Sequence, residues 1–239
     1  MSTIIERVYL WFRRHWRDMQ TDLVPAEVKE SQALVTWKRP DSTELFYVFQ
    51  GRRMRLTMEP LTFFRATGLM DVNLVMVRDY NQCFYHAGIN RELQDIGALR
   101  HHLLACREGL PHVRRSFCLG SSMGGYAAIL FGHYLKADVV YAFSPQTLID
   151  LERLGMMAGR KDTWRFPETH RDLTLLLAEH NGQTRYKIFY CVDSPRDREF
   201  AERIGHCPGV ELCPQPGSSH QVVEEMHADG RLLGVLSSR

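Results

Sequence analysis

Between residues 4 and 19, Ile4, Ile5, Val8, Tyr9, Phe12, Trp16 and Met19 recur at helical spacing with arginines on the other side, which predicts an amphipathic helix within segment 1–24. After Pro25 the pattern shortens to apolar runs rich in β-branched and aromatic residues, predicting strands over 33–38, 44–49 and 74–77. Helical periodicity returns over 89–108, where Leu93, Ile96, Leu99, Leu103 and Leu104 share one side, and Gly109, Leu110 and Pro111 stop it. A strand at 115–119 follows. The alternation then repeats: helix 123–135, strand 139–143, helical stretches within 145–184, strand 186–192, a helix near 197–204, strand 210–213 and a terminal helix.

Strands separated by helices need crossover connections, and crossovers place neighbouring strands parallel with helices over the sheet faces. The expected fold class is therefore α/β, a mostly parallel, doubly wound sheet of about seven strands. No repeat or Ser/Gly linker divides residues 1–239, so a single domain is expected. The longest excursion between strands, 145–184, is expected to form a short partial lid.

Composition narrows the partners. Thirty Lys and Arg against 28 Asp and Glu leave a net charge of +2, too little for a general nucleic-acid binder. The longest apolar run is the six residues 126–131, far short of the roughly 20 that a membrane-spanning helix needs. Arginines interrupt the amino-terminal segment, so export through a secretory signal is not expected, although its basic polar face suits peripheral association with a membrane surface. Six cysteines stand singly, without C-x-x-C spacing, which fits reduced thiols of a cytoplasmic protein with neither disulfide framework nor structural metal site.

The most informative stretch is Phe117-Cys118-Leu119-Gly120-Ser121-Ser122-Met123-Gly124-Gly125-Tyr126-Ala127-Ala128, an apolar strand turning sharply into a helix. It contains G-x-S-x-G. In that pattern the central serine occupies a strained strand-to-helix turn that needs small residues on both sides, which makes Ser122 the candidate nucleophile. The Met123 amide at the helix start is one candidate oxyanion donor. A serine hydroxyl needs a base and a carboxylate to orient that base. His220, in a Gly/Ser loop after the last strand, is the candidate base, and His227, deeper in the terminal helix, is expected at the surface. Asp193 leaves its strand directly and is the preferred acid, with Asp197, placed to cap the next helix, as the alternative.

The second oxyanion donor is expected from Gln50-Gly51-Arg52, at the Gly51 or Arg52 amide. Arg52, Arg53 and Arg55 make that mouth basic, and Arg53 is a candidate for holding an anionic substrate. Tyr85 and His86 follow another strand's carboxyl end, where open α/β sheets collect ligand contacts, and are candidate pocket residues.

From about residue 33 onward the chain resembles the α/β-hydrolase superfamily, in the elbow 120–124, the acid region 193–197 and His220. It also resembles a bacterial subgroup carrying G-S-S-M-G-G-Y-A-A followed by Ala142-Phe143-Ser144-Pro145-Gln146-Thr147, whose members are mostly hydrolases of unassigned substrate. The resemblance implies serine esterase chemistry through an acyl-enzyme, on a small-molecule or saccharide ester, without cofactor. Gln50 stands where the family has a histidine, and the acid turn lacks the usual preceding glycine. An O-acyltransferase passing an acyl group from a thioester to a carbohydrate is the alternative within the same chemistry. A binding protein that has kept the fold but not the activity is the alternative outside it.

Overall fold

The structure is a computed structural model and describes residues 32–150, 166–179 and 181–237. The amphipathic segment expected within 1–24 lies outside the described residues.

Seven strands form one sheet: β1 (Leu34–Trp37), β2 (Glu44–Phe49), β3 (Asn73–Val77), β4 (Arg115–Ser121), β5 (Val139–Phe143), β6 (Arg185–Cys191) and β7 (Val210–Gln215). Their spatial order is β1-β3-β2-β4-β5-β6-β7, with β1 antiparallel to β3 and all other pairs parallel. The carboxyl ends of β2, β4, β5, β6 and β7 thus share one edge, and every element of the site described below leaves from it.

Eight α-helices are described: α1 (Pro60–Thr67), α2 (Ile96–Glu108), α3 (Met123–Leu135), α4 (Glu168–Arg171), α5 (Leu173–Ala178), α6 (Pro195–Ile204), α7 (Val222–Ala228) and α8 (Leu232–Ser237). The period-two alternation of the strands sorts their side chains between two cores. Leu45, Tyr47 and Phe49 of β2 and Cys118 of β4 join residues of α2, α3, α5 and α6 on one face. Phe46 and Val48, with Phe117 and Leu119, join α1, α7 and α8 on the other. The Phe46 and Phe117 rings stack at 4.5 Å across the β2–β4 pair, and burying each contributes about 2–3 kcal/mol. Because parallel strands are covered on both sides, β2 through β5 read as nearly unbroken apolar runs rather than alternating ones.

Two departures from the sequence pattern have local causes. The 89–108 periodicity overshoots the helix, which begins only at Ile96 because the Asp95 carboxylate accepts the Ala98 amide at 2.8 Å and caps it there. Helix α1 is absent from the sequence expectation, which assigns no element between 49 and 74. Its signals are local: the Glu59 carboxylate caps the Leu61 and Thr62 amides, Pro60 holds the first position, and Gly68 at φ 70° ends it.

Among the described residues no helix is long and apolar enough to cross a membrane.

Candidate active site

Strand β4, central in the sheet, runs into α3 through Ser122, whose backbone sits at φ 56°, ψ −117°. A non-glycine residue held there costs of order 1–3 kcal/mol, and the surroundings fix it. The Ser122 amide donates to the Phe143 carbonyl at 2.8 Å, and its carbonyl accepts the Tyr126 amide at 3.0 Å. The turn closes only with glycines flanking it. A Cβ on Gly120 would lie 2.0 Å from the Gly124 carbonyl oxygen, and one on Gly124 would lie 2.1 Å from that of Phe49. Ser122 stands at the N-cap of α3, yet its hydroxyl caps nothing. It is left for a different partner.

That partner is His220, whose Nε2 lies 2.9 Å from Ser122 Oγ across 98 residues of chain. Its Nδ1 lies 2.7 Å from Asp197 Oδ1. An ionised carboxylate only accepts, so the proton sits on Nδ1, and Nε2 is left to accept the Ser122 hydroxyl. The carboxylate side chain is 1% exposed and the imidazole 44%, so the dyad is anchored on its dry side and open toward solvent on the other.

Asp197, not the preferred Asp193, meets the histidine. Asp193 is exposed, and its amide is tied to the Gly217 carbonyl at 3.0 Å. The reason is where α6 begins: Ser194 is its N-cap and Pro195 its first residue, which puts Asp197 in the first turn, facing inward rather than capping. His227 is exposed, as expected.

Two further expectations are corrected. Tyr85 is fully buried and donates its hydroxyl to the Gln50 carbonyl at 2.7 Å, so it braces the loop after β2 from behind instead of lining the pocket. His86 points to Tyr126, with Nε2 2.9 Å from its hydroxyl, and to the Phe166 ring at 4.2 Å. Burial holds its pKa down at about 3, so it is neutral and packed away from Ser122.

The loop after β2 is also rearranged relative to expectation. The Gly51 amide donates to the Arg55 carbonyl at 2.8 Å, so it is already engaged. A Cβ on Gly51 would lie 2.6 Å from the Ser121 carbonyl oxygen, so glycine is required for the loop to approach the nucleophile turn. Arg52 heads the 3-10 turn Arg52–Met54, which follows Gly51 directly. The Arg53 side chain lies outside the described part of the structure.

A cavity of about 720 Å³ opens over Ser122 and His220. Its charged lining is mixed, with Arg52, Arg55 and Arg196 beside Asp150, Glu199 and Glu224, so the mouth is not simply basic. Phe84, Leu148 and Phe200 are its large apolar side chains, and the Arg196 guanidinium stacks on Phe200 at 5.3 Å. Sequence reasoning missed Arg196, Glu199, Phe200 and Glu224. The available signal was proximity: the first three lie within a helical turn of Asp197, and Glu224 lies four residues past His220. Gln146, Leu148 and Asp150, at the start of the 145–184 excursion, also line the cavity, while 151–165 lie outside the described residues.

Among the described residues no cluster of His, Cys, Asp or Glu is arranged to hold a metal ion.

No family model and no curated protein matches the chain. Solved structures do. A capsule O-acetyltransferase of Neisseria meningitidis serogroup A is 11% identical, with 82% of this chain and 89% of that one covered at a TM-score of 0.59. An S-formylglutathione hydrolase from Agrobacterium tumefaciens is 13% identical, covering 82% and 86% at 0.56. An esterase from Pyrococcus furiosus is 18% identical, covering 84% of each at 0.52. With its strand order, its serine elbow and these neighbours, the chain has the α/β-hydrolase fold.

Proposed function

We propose that the chain is a serine-dependent acyl-transfer enzyme that hydrolyses a carboxylic ester through an acyl-enzyme on Ser122. The observation that carries this reading is the continuous hydrogen-bonded line Ser122–His220–Asp197, at 2.9 and 2.7 Å. Ser122 Oγ attacks the ester carbonyl while its proton passes to His220 Nε2. Asp197 holds the Nδ1 proton and offsets the imidazolium charge. The Met123 amide, at the start of α3, receives the developing oxyanion. Collapse breaks the bond to the leaving alcohol, which takes the proton from His220. Water then adds to the acyl-enzyme, giving its proton to His220, and the acid departs as that proton returns to Ser122 Oγ.

The pocket lining supports a polar ester with a short acyl group. Seating a long aliphatic chain against three arginines and three carboxylates would strip water from charged groups without replacing their hydrogen bonds. The test is hydrolysis of nitrophenyl acetate and nitrophenyl decanoate by wild type and Ser122→Ala. Wild type is expected to prefer the acetate and the variant to be inactive on both. Equal rates for wild type and variant would overturn the proposal.

A second reading, transfer of the acyl group to an alcohol instead of water, rests on the arginines at the cavity, which suit the phosphates of a nucleotide thioester. The capsule O-acetyltransferase neighbour, of which one structure is a complex with CoA, supports the same reading. Release of free thiol from acetyl-CoA that depends on an added saccharide would select transfer. Its absence alongside ester hydrolysis would select the esterase.

A further inference from the structure

We propose that Glu225, on α7, is a positioning residue that fixes the loop carrying His220; this rests on the catalytic reading of that histidine. Its carboxylate reaches three parts of the structure at once. Oε1 accepts the amide of Ser219, the residue immediately before His220, at 3.2 Å. Oε2 accepts the thiol of Cys191, the last residue of β6, at 3.4 Å. The same oxygen fills the space beside Gly217, where a Cβ would lie 1.6 Å from it.

The donor on β6 is dependable. Cys191 is fully buried, and burial together with the adjoining carboxylate pushes its pKa up to about 12, so the sulfur keeps its proton. Gly217, at φ 133°, lies in a region closed to side chains, and its carbonyl accepts the Asp193 amide at 3.0 Å. The loop is therefore pinned from the sheet side through Asp193 and from the helix side through Glu225.

Apart from the nucleophile, the imidazole's hydrogen-bond partner is the buried Asp197, and 44% of its side chain faces solvent. Holding Nε2 at 2.9 Å from the nucleophile therefore depends on the loop that carries the ring as well. Glu225 fixes that loop at the Ser219 amide, one peptide before His220. A displacement of about 1 Å in such a group can slow a reaction by about 10²-fold. Glu225 does not line the cavity, whereas its neighbour Glu224 does. Its effect should fall on kcat and leave KM unchanged.

The experiment compares Glu225→Ala and Glu225→Gln with wild type, by ester hydrolysis and by the low-field proton signal of His220 Nδ1–H, assigned by its loss in His220→Ala. Glutamine keeps an acceptor for the Ser219 amide and alanine does not. Glu225→Ala should lower kcat by about 10- to 100-fold with KM within twofold, and should broaden or shift the proton signal. Glu225→Gln should recover most of both. Should Glu225→Ala not fold, Gly217→Ala, which drives a methyl into the Oε2 position, is expected to displace the signal and the rate together. Wild-type kcat and an unchanged signal in Glu225→Ala would overturn the inference, as would equal loss in both Glu225 variants with the signal intact. If wild type hydrolyses no ester while the signal still responds to Glu225→Ala and not to Glu225→Gln, the esterase reading fails and the positioning role stands.

Discussion

Replacing Asp197 by asparagine leaves shape nearly unchanged and reverses one proton. The amide can donate to His220 Nδ1, which selects the tautomer protonated on Nε2, and that nitrogen can no longer accept the Ser122 hydroxyl. It also removes the charge that offsets the imidazolium. The carboxylate is 1% exposed and 2.7 Å from Nδ1. Opposite charges with centres about 3.5 Å apart interact by about 5 kcal/mol at an effective dielectric of about 20. That matches the loss of about 10⁴ in kcat, or about 5.5 kcal/mol, known for this kind of tautomer reversal. Asp193, exposed and bonded only through its amide, predicts the opposite for Asp193→Asn: kcat within twofold of wild type. The assay is steady-state hydrolysis of nitrophenyl acetate by both variants, with melting curves to show that each is folded. Folded Asp197→Asn with kcat within tenfold of wild type, or Asp193→Asn as impaired as Asp197→Asn, would refute the reasoning.

Other expectations follow from the same contacts. Gly124→Ala places a methyl 2.1 Å from the Phe49 carbonyl oxygen and should cost at least about 3 kcal/mol in urea unfolding, at the upper end of overpacking. Tyr85→Phe removes a buried hydroxyl that donates to the Gln50 carbonyl at 2.7 Å and lies 3.3 Å from that of Val77, and should cost about 1 kcal/mol of stability while KM stays within twofold. Between pH 4 and 6 two buried groups act oppositely on stability. His86, lowered from 6.5 to about 3 by burial, binds its proton mainly in the unfolded state, so its contribution falls as pH drops below 6.5. Asp79, raised from 3.8 to about 6 by burial, binds its proton mainly in the folded state, so its contribution falls as pH rises from 3.8 to 6. Asp79→Asn removes the second slope, and its urea-unfolding free energy should rise with pH across that window more steeply than that of wild type; parallel curves would contradict this.

Much of the fold was legible because parallel strands buried on both faces leave unmistakable apolar runs, as in 139–143 and 44–49. The elbow was legible because Gly120 and Gly124 are dictated by backbone contacts of 2.0 and 2.1 Å rather than by side-chain taste. Helix α1 was not, since Phe64 packs on the Trp37 ring and Phe63 on the Phe143 ring, and their helical state is decided by Glu59, Pro60 and Gly68 at the ends. The carboxylate that meets His220 was not singled out, because Asp193 and Asp197 lie four residues apart and the start of α6 at Pro195 fixes which of them faces inward. The pocket's arginines and carboxylates come from four separate segments, and only the folded chain brings Asp150, Arg196 and Glu224 to one cavity with Arg52. Tyr85 and His86 stand at the right edge of the sheet but turn their polar atoms to Gln50 and Tyr126.

The most direct measurement is reaction of the folded protein with a fluorophosphonate, read by intact mass and by mapping of the modified peptide. A single phosphonyl adduct on Ser122, formed by wild type and slowed at least about 10³-fold in His220→Ala, is the expected result. No adduct on Ser122, or the same labelling rate in His220→Ala, would contradict the claim that the imidazole activates that hydroxyl.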